Sequence, residues 1–247
     1  LPCRSATSLA LEVVWFRVLT LFLRPTVYGF AIMLARILTE IALGSYIAAP
    51  LLRYRGRWLT VLAVLEVAIA LTAAASFAPL SWLPGFADRI TPIIASVLPD
   101  YLGFPLAGSL LCIAPTALLM GIAFPIGLHL WTTGGGGDRS RAGSRLSTFY
   151  ALNVAGGIAG SLVAGFVLLP LLGSPHSLAL LGTLTLLGGL ALIAVCELSA
   201  LARVISASAA VAAFLLVVTG VPSPFTEFIA QRYAAQDVLS IEEGIEA

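Results

Sequence analysis

The chain has 247 residues, of which 60% are hydrophobic and 10% charged, with a mean hydropathy of +1.04. A soluble domain carries roughly 25% charged residues, so there is too little polar surface to coat a globule in water, and the bilayer must solvate most of it. The net charge is +1 and all 13 basic residues are arginine. That balance excludes a nucleic-acid-binding field, and the lack of lysine excludes a P-loop or Schiff-base lysine.

A spanning helix takes about 20 apolar residues. Seven stretches qualify, at about 5–23, 26–52, 58–77, 102–130, 146–172, 177–195 and 202–221. Arg24-Pro25 ends the first and Pro50 marks the end of the second. Pro115 and Pro125 predict kinks in the fourth. Between the third and fourth, Phe86, Ile90, Ile93, Ile94 and Val97 recur at helical spacing, with Asp88, Arg89 and Ser96 elsewhere. This pattern predicts an amphipathic helix in the interface plane, with Trp82 as a headgroup anchor. The expected fold is therefore all-α: a polytopic integral membrane helix bundle of about seven transmembrane helices plus one interfacial helix, over residues 1–221.

Arginine placement orients the bundle. Arg53, Arg55 and Arg57 crowd one loop, and Arg139, Arg141 and Arg145 another. Both loops are expected on the cytoplasmic side, with the interfacial segment and the tail facing outward. The loop from Thr132 through Gly134–Gly137 to Asp138 looks like a phosphate loop, but lacks a preceding strand and a GK[ST] ending. It reads as a flexible linker. The chain opens without a signal-peptide pattern, as though a helix were already under way. Residues 222–247 are polar and acidic, and read as a linker.

Cys3, Cys112 and Cys196, with His129 and His176, follow no metal or redox spacing, so no metal, cofactor or catalytic residue is expected. Charges inside spans are costly, about 2.5–3.5 kcal/mol each on insertion scales. The chain keeps Glu12 and Arg17 in the first helix, Arg36 and Glu40 in the second, and Glu66 in the third. Arg36 and Glu40, four apart, share a helical face and can pair. Glu12 and Arg17, five apart, point about 140° from each other and should seek partners elsewhere. Asn153 reads as a helix–helix hydrogen bond. Two readings stand: an ion-pair network that sets helix register, or a polar path for protons or a cationic solute. A path should show polar residues on several helices, and the sixth and seventh are expected to show none at mid-depth. In the fifth helix, Gly156, Gly160 and Ala164 form one small-residue ladder and Gly157, Ser161 and Gly165 another, which predicts close approach of a second backbone.

Several motifs resemble those of a known family. They are Glu12-Val13-Val14-Trp15-Phe16-Arg17, Ala42-Leu43-Gly44-Ser45, Leu118-Leu119-Met120-Gly121-Ile122-Ala123-Phe124-Pro125, and Tyr150-Ala151-Leu152-Asn153 followed by Gly156 through Gly173. In this order, across about residues 5–175, they resemble the membrane region of bacterial fused MFS/spermidine synthases. The Arg36–Glu40 pair departs from that family's pattern, which has small or apolar residues there. The resemblance implies a following aminopropyltransferase-like domain, and Leu239 to Ala247 looks like its first strand. These 247 residues hold no Gly-rich nucleotide loop, and seven spans would set such a domain outside the cytoplasm. The expected function is a membrane domain of a spermidine-synthase-like protein in a bacterial cytoplasmic membrane, acting as anchor or solute-handling module. An MFS-like secondary transporter and an accessory subunit of a larger complex are the alternatives. Expected partners are lipid and other membrane subunits, through the fifth or the interfacial helix, with no nucleic acid.

Overall fold

The computed structural model describes residues 2–22, 27–54, 56–76, 78, 110–133 and 142–220. The expected interfacial helix, the glycine loop after Thr133 and the tail beyond Gly220 lie outside the described residues. Among those described, the chain is all-helical and contains no strand. The helices are α1 (Pro2–Phe22), α2 (Val27–Leu51), α3 (Trp58–Ala74), α4 (Ala114–Thr133), α5 (Ala142–Val163), a π turn (Ala164–Leu168), α6 (Leu169–Val195) and α7 (Ala200–Gly220). Lipid offers no partner for a bare N–H or C=O, so a helix, which satisfies its own backbone, is the form such apolar runs adopt there.

Among the described residues, four stretches are long and apolar enough to cross a membrane: Ala31–Leu51, Ala114–Thr133, Gly143–Val195 and Ala200–Gly220. Trp58–Ala74 is apolar but shorter. The molecule is thus built as a membrane protein. Gly143–Val195 has 53 residues. As one rod it would run about 80 Å, against a hydrocarbon core of about 30 Å. Gly173 divides it, with φ 69° and ψ 174°, a backbone region open essentially to glycine alone. Pro175 follows, and a new helical run begins. Asn153 and Thr185 line one cavity, whereas in a straight rod they would stand about 48 Å apart. The chain therefore turns back at Gly173. Just before that turn, Pro170 lacks an N–H to give to the preceding turn, and the widened π turn Ala164–Leu168 absorbs the mismatch. Pro115, the second residue of α4, sits where an N–H would have no helical partner anyway.

Packing follows the small residues. α1 packs mainly on α5, α2 on α4, and α3 on α6, while α7 makes its lighter contacts with α3 and α6. At the α2–α4 crossing, a Cβ on Gly44 would overlap the Leu118 carbonyl, and one on Gly121 the Ile41 carbonyl. The Ser45 hydroxyl donates to the Gly121 carbonyl there at 3.0 Å. At the α1–α5 crossing, a Cβ on Gly160 would overlap the Ala6 carbonyl, and one on Gly157 the Leu9 side chain. Gly156 is also buried. Ser161 donates back to the Ile158 carbonyl at 3.0 Å, and Gly165 faces Val13. Both small-residue ladders thus lie at or beside a contact within the chain, against α1. The core gathers on α1 as well. Leu11, Val14, Trp15, Val18 and Leu19 are buried with Met33, Ile37, Ile113 and Leu178.

The arginine-bearing ends come together at one face of the bundle. Arg57 donates to the Glu197 carbonyl, Arg203 to the carbonyls of Ala194 (3.2 Å) and Leu198 (3.1 Å), and Trp131 to the Arg145 carbonyl (3.1 Å). Trp58 meets His129 edge-on at the same end, with ring centroids 6.4 Å apart.

Candidate functional site

Several polar side chains, from four helices, converge on one place. Arg4 in the first turn of α1 reaches across to α3, where its Nε lies 2.7 Å from Glu66 Oε1. Its Nη1 donates to the Ala123 carbonyl of α4 at 3.1 Å. The Glu66 side chain is 7% exposed and that of Arg4 23%. Neither charge is tolerable alone at this depth, and the pairing is what allows both to be there. Beside them Ser5 donates to Asn153 Oδ1 of α5 at 2.5 Å, and Ser8 to the Met120 sulfur at 3.2 Å. These groups, with Thr7, Thr185 and the rings of Phe124 and Phe149, line a cavity of about 60 Å³. That is room for a few waters. The cavity floor is aromatic: Phe124 and Phe149 pack edge to face with centroids 5.5 Å apart, and Tyr150 flanks both.

Glu66 and Asn153, both expected from sequence, meet at this cavity. The other expected polar residues stand apart from its lining. Glu12 lies half-buried on α1, on the turn after Ser8. Arg17 is half-buried further along α1, and its carbonyl accepts the Thr20 hydroxyl at 2.7 Å. Arg36 pairs with Glu40 within α2, as their spacing predicts. Glu40 is buried on the α2 face that carries Gly44, and its Oε2 has no hydrogen-bond partner.

Sequence reasoning missed Arg4, Ser5, Ser8 and Thr185. Arg4 precedes the first apolar run, where a charge is ordinary. The signal was there in the spacing: Arg4, Ser8 and Glu12 repeat every four residues, which puts them along one face of a helix. Thr185 corrects the expectation that the sixth helix is bare at mid-depth. It satisfies its hydroxyl on the Leu181 carbonyl at 2.9 Å, which hides it from a search for charged groups. Among the described residues no group of His, Cys, Asp and Glu could hold a metal ion.

The four family-like motifs fall on these contacts. Ala42–Ser45 meets Leu118–Pro125 at the α2–α4 crossing, and the block from Tyr150 through Gly160 meets the first turns of α1. Comparison with known proteins finds no matching family model, no similar curated protein and no similar solved structure.

Proposed function

We propose that the chain is the membrane domain of a spermidine-synthase-like protein, that it crosses a bacterial cytoplasmic membrane seven times, and that it handles a small protonated amine. The observation that carries this reading is the Arg4–Glu66 pair facing a cavity with Ser8, Asn153 and Thr185. Ionisable residues kept inside spanning helices mark solute paths by default. Among the described residues Glu66 is the one carboxylate lining the cavity, and Arg4 is its resident counter-charge. An entering ammonium group competes for Glu66, while Arg4 keeps its bond to the Ala123 carbonyl. The gathering of arginine-bearing loops at one end supports that face as cytoplasmic. The motif order supports the family.

The test is uptake of radiolabelled putrescine into phosphatidylethanolamine–phosphatidylglycerol vesicles that contain the purified chain. Saturable uptake that is lost in Glu66→Gln and kept when Arg36 and Glu40 are both replaced by leucine supports the reading. Uptake no greater than in protein-free vesicles, or uptake indifferent to Glu66→Gln, contradicts it.

A second reading, accessory subunit of a larger assembly, draws on α7. Leu201, Val204, Ile205, Leu215 and Leu216 are all exposed there, and an open apolar cavity of about 380 Å³ lies between α3, the end of α6 and α7. Lipid chains satisfy the same surface. Crosslinking from Leu216 to a second protein in native membranes would favour the subunit; crosslinking to lipid alone would not.

A further inference from the structure

The open cavity of about 380 Å³ between α3, the end of α6 and α7 has apolar and mostly small walls, among them Ala63, Val67, Ala209, Ala210 and Ala213. Alanines on facing helices usually let backbones meet, yet here the space between α3 and α7 stays open. In a bilayer such a groove forfeits the contacts of its lining unless a chain fills it. On α3 the lining runs from Thr60 to Leu71, about 16 Å of helix. Half of a hydrocarbon core is about 15 Å, so the groove has the length of one leaflet's acyl chain.

One end of the groove is charged. Leu198 lines it, and its carbonyl accepts Arg203 Nε at 3.1 Å, while Arg203 Nη1 donates to the Ala194 carbonyl at 3.2 Å. Arg57, one turn before the lining Thr60, donates to the Glu197 carbonyl. Both guanidiniums are thereby fixed on one short stretch, 194–198, at the mouth of the groove. They cap the carbonyls that end α6, but that occupies only part of the five N–H groups each arginine carries. Both arginines are exposed, and among the described residues neither is ion-paired with a carboxylate, that of the exposed Glu197 included. α3 and α7 also begin at this end, at Trp58 and Ala200, and α3 has no side-chain cap, so two positive helix ends face the same way. We propose that an anionic phospholipid occupies this site, with an acyl chain between α3 and α7 and its phosphate at Arg57 and Arg203. Basic pockets between spanning helices on the cytoplasmic side hold such headgroups. A zwitterionic lipid fits less well, because its own cation would stand beside two arginines. The site is separate from the cavity at Glu66 and does not rest on the amine reading.

The full chain in phosphatidylcholine vesicles is given a trace of phosphatidylglycerol that carries a photoreactive diazirine in mid-chain, and adducts are mapped to the residue by tandem mass spectrometry. Adducts on Ala68, Leu71, Ala209 and Ala213 are expected to exceed those on Leu216, at the outward face of α7. The same diazirine on phosphatidylcholine should label the groove about ten-fold less. Arg57→Gln with Arg203→Gln should bring phosphatidylglycerol down to the phosphatidylcholine level. Arg57→Lys with Arg203→Lys should keep the preference, since charge survives that change and the guanidinium fork does not. High salt should narrow the preference. Ala209→Phe, which fills the groove, should remove the groove adducts and leave those on Leu216. Labelling no stronger in the groove than at Leu216, equal labelling by the two lipids, a preference unchanged in the glutamine pair, or one lost in the lysine pair would each overturn the proposal. A chain-to-chain crosslink in place of the lipid adduct would overturn it in favour of a protein occupant. Loss of putrescine uptake with the groove still labelled would sink the amine reading alone.

Discussion

α1 and α7 invert the rule that governs soluble proteins. α1 carries Arg4, Glu12 and Arg17, yet it holds the centre of the bundle, with Leu11, Val14, Trp15 and Val18 essentially sealed from the surface. α7 has Arg203 as its one charged residue, and it lies on the outside with only Ala210 and Phe214 buried. In water the more apolar helix would go inside. In lipid the chains outside are as apolar as leucine, so burying leucine gains little. What gains is close packing, and removal of polar groups from hydrocarbon to a place where they find partners. α1 meets both needs: its small and polar positions fit the glycines of α5 and the acid of α3, and α7 has neither to offer.

The sharpest way to break this contrast is to strand a charge on the buried helix. Glu66→Leu leaves Arg4 in the interior without its carboxylate and should cost about 3–5 kcal/mol, read as unfolding in mixed micelles of a denaturing detergent. The double variant Arg4→Leu with Glu66→Leu should recover most of that loss, because no uncompensated charge remains. Next in size is Gly160→Val. Its side chain has nowhere to go but the Ala6 backbone, so α1 and α5 must separate, at about 1–3 kcal/mol for overpacking. Trp15→Phe removes the bond from the indole N–H to Ser76 Oγ (3.0 Å), which ties the far part of α1 to the end of α3. The expected loss is about 0.6 kcal/mol, the mean for polar contacts within membranes. The smallest effect belongs to α7: Leu216→Ala, on the outward face, should change stability by less than about 0.5 kcal/mol. If the α7 substitution instead proves as costly as Gly160→Val, another protein covers that face.

The helices themselves were legible in the sequence because runs such as Ala200–Gly220 leave no other solution in a bilayer. The glycine blocks announced close packing, and Gly157 and Gly160 do face a neighbour. Which neighbour was not legible, since a small residue says only that something approaches. The site was half legible. Glu66 and Asn153 stood out as polar residues in apolar runs, but Arg4 sat where a flanking charge is ordinary, and Ser5, Ser8 and Thr185 are types that helices tolerate everywhere. Their meaning comes from convergence across four helices, which is a property of the packed bundle and not of any one segment. The Arg36–Glu40 pair shows the opposite case: its spacing was fully informative because both partners lie on one helix.

The most direct test of the inside-out arrangement is site-directed spin labelling in lipid vesicles, with Cys3, Cys112 and Cys196 replaced and single cysteines set at Leu216 on α7 and at Leu11 on α1. Oxygen partitions into hydrocarbon, and a nickel chelate stays in water. The account predicts that the label at Leu216 relaxes strongly with oxygen and hardly with the chelate, and that the label at Leu11 responds to neither. A label at Leu216 that answers to the nickel chelate, or one at Leu11 that collides with oxygen as freely as Leu216, would contradict it.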